Sequence, residues 1–61
     1  MIEYRIVIGI LGIVFDGASE SEAKRRFHQF VILSKTAGSR FFEEPITLFK
    51  NDIRIREYRP F

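Results

Sequence analysis

The chain contains no cysteine and a single histidine, which removes the two staples on which very short domains commonly rely. A disulfide cannot form. One His without Cys cannot assemble the four-ligand cage of a structural zinc. A domain of 61 residues also has little margin, because a chain this short buries only about 60% of the surface it exposes when unfolded. Three routes to stability remain: a densely packed small core, self-association, or a core shared with a partner. With 46% hydrophobic and 15% aromatic residues, the chain is well outside the range of disordered segments, so a core is expected. We read residues 1–61 as one small domain. The lack of Cys matches a reducing compartment, and the cytoplasm is the expected location.

Residues 3–15 are dominated by Ile, Val, Tyr and Phe, which suit a pleated, half-buried surface. Gly9 and Gly12 interrupt this run and predict a tight turn between strands at about 3–8 and 12–16; one long bulged strand is the alternative. The apolar stretch from Ile6 to Phe15 resembles a signal-peptide core only superficially. Glu3 precedes it, no small-x-small cleavage site follows, and it is far shorter than the roughly 20 residues a membrane helix needs.

A helix over about 20–36 follows from its ends and its spacing. Ser19 and Glu22 form a capping-box pattern, and Glu20 and Glu22 place negative charge at the positive end of the helix dipole. Glu20–Lys24 and Glu22–Arg26 are i,i+4 pairs in the favoured orientation. Lys35 near the C-terminus and Gly38 just beyond it mark the stop. Ala23, Phe27, Phe30, Val31 and Ser34 fall on one stripe, which should face the core, with Leu33 at its flank. Ile32 falls on the opposite side among Arg25, His28 and Lys35. An apolar residue there is a weak candidate for contact with another chain.

Residues 37–44 form a connection, with Phe41 and Phe42 expected beneath it. Pro45 then suits the start of a strand. Two apolar-rich runs, 46–50 and 53–58, flank Asn51-Asp52, which tolerate the positive φ angles of a two-residue hairpin turn. That loop predicts a register in which Phe49 faces Arg54, Leu48 faces Ile55 and Ile46 faces Glu57. Ile46, Leu48, Ile53 and Ile55 should then meet the helix. Thr47, Phe49, Arg54, Arg56 and Tyr58 should share the other face. The expected fold is α+β, a single helix packed on a small antiparallel sheet in the order β-β-α-β-β, with strand order left open.

Catalytic chemistry finds no constellation. His28 has Lys24, Arg25, Val31 and Ile32 as its helical neighbours, none of which could orient it as a base. Ser34 and Ser39 have no recognisable activating partner, and Glu43-Glu44 would point to opposite sides of a strand. No phosphate-binding, dinucleotide or zinc motif is present. No enzyme activity, cofactor, metal site or small-molecule substrate is therefore expected.

The chemistry that stands out is the alternation of aromatics and arginines in the last hairpin. Phe49, Arg54, Arg56 and Tyr58, with Ile32 as a weaker second contact, are the candidate partner-binding residues. Aromatics with Arg are enriched in protein interface hot spots, and an open sheet face would present them, joined by Val7 and Arg5. A non-catalytic binding module acting through protein–protein contacts, with a homodimer as its simplest form, is the leading expectation. The alternative is a small nucleic-acid-binding protein, with rings stacking on bases and guanidinium groups neutralising phosphates. The net charge of +2 is too small to decide for a polyanion. The helix run Lys24-Arg25-Arg26 reads as a solvated face, since two of its members already have acidic partners.

Overall fold

The computed structural model describes residues 2–60. Four strands and one helix follow each other as β1 (Tyr4–Ile8), β2 (Gly12–Gly17), α1 (Glu20–Lys35), β3 (Ile46–Lys50) and β4 (Ile53–Tyr58). The strands form one sheet in the order β2-β1-β3-β4, with every neighbouring pair antiparallel. The expected α+β arrangement is therefore present. β1 lies at the centre, and β2 and β3 run parallel to each other on either side of it. The helix is the crossover that joins them, since parallel strands need a long connection.

Gly9 and Gly12 bracket the first hairpin as expected. A single 3-10 turn, Gly9–Leu11, fills the gap. Gly9 has a φ of +23°, and a Cβ there would collide with the Glu44 carboxylate and approach Pro45 Cδ to 3.3 Å. Its amide donates to the Pro45 carbonyl at 2.9 Å, which closes one end of the β1–β3 pairing. At the other end, Asn51 N donates to Glu3 O at 2.8 Å, and Glu3 N donates to Asn51 Oδ1 at 2.9 Å. Asn51 and Asp52 take positive φ angles of 50° and 68°, as a two-residue hairpin turn requires.

The helix begins where its cap predicts, with Ser19 Oγ accepting from Glu22 N at 3.3 Å. It ends one residue earlier than the spacing suggests, at Lys35. Its stripe meets the sheet through Ala23, Phe27 and Ser34, and the core is completed by Tyr4, Ile6, Ile8, Ile46 and Leu48. Ser34 is tolerated there because its hydroxyl donates to the Glu44 carbonyl at 2.9 Å, so the buried hydroxyl is satisfied. Phe30 and Phe41 meet edge to face at 5.8 Å. Phe42 does not tuck under the loop as expected; it is 40% exposed, because Phe41 already occupies the contact with the helix.

Both edge strands carry an irregularity. In β2 the register with β1 shifts so that Ile6 faces Phe15 and Val7 faces Ile13, leaving Val14 as an extra residue. In β4, Phe49 faces Arg54 but Leu48 faces Arg56, leaving Ile55 without a partner. These are β-bulges, in which two residues of one strand oppose one of its neighbour.

Candidate functional site

The β4 bulge changes the composition of the expected binding face. Up to Arg54 the register is the predicted one, so Phe49 and Arg54 lie on the side of the sheet away from the helix. Beyond Ile55 the alternation is inverted. Arg56 opposes buried Leu48 and Tyr58 opposes buried Ile46, which places both on the helix side. Tyr58 packs against the core, and Lys35 Nζ stands 5.5 Å from its ring centre. The four residues expected on one face are therefore divided two and two.

Ile53 and Ile55 were expected to meet the helix and do not; they are 67% and 43% exposed. The helix packs on β1, β2 and β3, so β4 is exposed along nearly its whole length. The inward place near the end of β4 goes to Tyr58, whose ring offers a large apolar area. Ile32 is 50% exposed on the helix, on the opposite side of the sheet from Phe49, so the two belong to separate surfaces.

The sheet face away from the helix is built by strand alternation from the central pair outward. Tyr4, Ile6 and Ile8 point inward, which turns Arg5 and Val7 outward; Ile46 and Leu48 do the same for Thr47 and Phe49. The registers then give two rows across the sheet. One runs Asp16, Arg5, Phe49, Arg54, and the next runs Ile13, Val7, Thr47, Glu57. Shallow depressions lie on this face, one lined by Arg5, Val7, Ile13, Phe49 and Asp52. Another is lined by Val7, Gly9, Pro45, Thr47, Glu57 and Arg59, among others.

The charges on this face are paired. Arg5 reaches Glu3 at 2.9 Å, Asp52 at 3.4 Å and Asp16 at 3.6 Å. Glu57 forms ion pairs with Arg54 at 3.5 Å and Arg59 at 3.2 Å. Three guanidinium groups thus meet four carboxylates. Between these clusters lie Val7, Phe49 and Ile13, the last 58% exposed. Val7 and Arg5 were legible from β1 alternation. Ile13 and Asp16 were not, because their direction depends on the Val14 bulge, and the run Ile13-Val14-Phe15 reads equally well without one.

Arg56 and Tyr58 instead line a groove between α1 and β4 with Lys24, Phe27, His28 and Val31. Its volume is about 480 Å³. Among the described residues Arg56 makes no ion pair, whereas Lys24 holds Glu20 at 2.9 Å. At the start of the helix Tyr4 Oη donates to Glu20 Oε1 at 2.9 Å. Burial, reinforced by that hydrogen bond, raises the Tyr4 phenol above its ordinary value. The hydrogen bonds from Lys24 and then Tyr4 lower the Glu20 carboxyl. No helix among the described residues is long and apolar enough to cross a membrane.

Comparison with known protein families, with curated proteins and with solved structures finds no match for this chain.

Proposed function

We propose that this protein is a small non-catalytic binding module that acts by laying its open sheet face against the surface of another protein. One observation carries the reading. The face away from the helix presents Val7, Ile13 and Phe49 while each guanidinium on it is already held by a carboxylate. Apolar side chains interspersed with arginines suit a protein interface, where aromatics and Arg are enriched. A phosphate backbone instead needs unpaired positive charge, and its binding rests on releasing the counterions that such charge displaces.

Nucleic-acid binding through the last hairpin has less support, because its four residues do not share a surface. Arg56, which makes no ion pair among the described residues, lies in the groove beside α1, and the ring of Tyr58 is half-buried under Lys35. The two readings separate in a mass measurement in solution with and without single-stranded DNA, repeated as salt rises. The expected outcome is no DNA complex at physiological ionic strength. A DNA complex whose affinity falls steeply with salt, with a slope flattened by Arg54→Ala or Arg56→Ala, would overturn the protein-binding reading.

A further inference from the structure

Resting on that reading, we infer that the occupant of the open face is a second copy of this chain, related by a twofold axis parallel to the strands. The argument is the charge order across the sheet. The row Asp16, Arg5, Phe49, Arg54 begins with an acid on one edge strand and ends with a base on the other. A twofold along the strands lays β2 of one copy over β4 of the other, and β1 over β3. Asp16 then meets Arg54 of the second copy, and Arg5 meets its Phe49, each contact occurring twice, as an isologous interface requires.

The side-chain chemistry suits these contacts. Carboxylates hold Arg5 through its terminal nitrogens, and a guanidinium bound by its edge can still stack its planar face on an aromatic ring. In the next row Val7 meets Thr47, and Ile13 covers Glu57, whose carboxylate is already engaged by Arg54 and Arg59. A twofold running across the strands is worse. It keeps one ion pair, Arg54 over Glu57, but sets Asp16 over Ile13 and Arg5 over Val7, two charges against aliphatic surface where the axis along the strands leaves only Glu57 so placed.

The edges themselves are poor places for self-association, because the Val14 and Ile55 bulges interrupt both outer ladders. Size sets the strength of the contact. Four strands about 4.8 Å apart, each of five residues at about 3.4 Å, make a face of only ~19 by ~17 Å. Two such faces bury less than the roughly 1,600 Å² of a standard complex, so the dimer belongs to the weak, concentration-dependent class.

The test is sedimentation of the full chain over a wide concentration range, with far-UV circular dichroism confirming the fold of each variant. Asp16→Arg and Arg54→Asp each place like charges across the interface, and each is expected to lower association about tenfold or more. The double variant carrying both changes should restore it to near the original level. Should Asp16→Arg fail to fold beside Arg5, Asp16→Asn keeps the test open, with a smaller loss expected. A wild-type chain that stays monomeric at every concentration overturns the second-copy proposal. So does a double variant weaker than either single change. A dimer that ignores the charge reversals but dissolves with Ile13→Lys overturns this pairing while leaving the open face as the contact surface. A dimer indifferent to Ile13→Lys as well overturns both.

Discussion

Tyr4 and Glu20 tie the first strand to the first turn of the helix, and the tie has a definite dependence on pH. Glu20 binds its proton less readily in the folded chain than in the unfolded one. It therefore contributes its full stabilisation above the unfolded carboxyl value of about 4.3, and loses it as pH falls through the lower folded value. Tyr4 has the opposite sense, since its raised value means its contribution is lost as pH rises through that value at the alkaline end. Melting temperature against pH should therefore separate wild type from Glu20→Gln at neutral pH and bring the two curves together in acid. Curves that stay parallel down to the acid limit would contradict the tie. Two further residues set the scale of local effects. Ser19→Ala removes the hydroxyl that accepts from Glu22 N and should cost about 1 kcal/mol in urea unfolding. Leu48→Ala, at a fully buried position, should cost about 2–5 kcal/mol, enough to leave so small a domain largely unfolded. Ile55→Ala should cost less than about 1 kcal/mol, because that side chain is substantially solvated.

The elements themselves were legible because each has a strong local cause. The Ser19 cap, the spacing of Ala23, Phe27 and Ser34, the Asn51-Asp52 turn and the two glycines of the first hairpin act within a few residues of chain. Strand order was not legible, since nothing local says that β3 pairs with β1 rather than with β2. The divided binding face was illegible for a different reason. A single unpaired residue, Ile55, reverses every side chain after it, and the choice is made by the burial of Tyr58 beside Ile46, far away in sequence from the helix residues that cover it. The bulge carries its own prediction. Deleting Ile55 removes the extra residue without moving Arg54, Arg56 or Tyr58 to another side, so the shortened chain should still fold by circular dichroism. Its outer edge would then be a regular ladder, and light scattering should show it aggregating faster than wild type. A shortened chain that fails to fold would show instead that the irregularity is needed to close the sheet.

At the scale of the whole molecule, one side of the sheet is covered by a single helix and the other is uncovered. Among the described residues that leaves a core of eight buried residues to hold a four-stranded sheet together, and the proposed dimer would add to its stability. Stability should accordingly rise with protein concentration, and a melting temperature that is the same at dilute and concentrated extremes would contradict linkage to association. The central place of β1 has a further consequence, in time rather than in space. β1 must wait for Ile46–Lys50 to complete its second ladder, so its two partners are made on either side of the entire helix. Pairing across so long a separation slows folding. The sheet cannot be completed until β3 and β4 have been synthesised, and a truncation before β3 leaves β1 with one of its two partners rather than a smaller version of the same sheet.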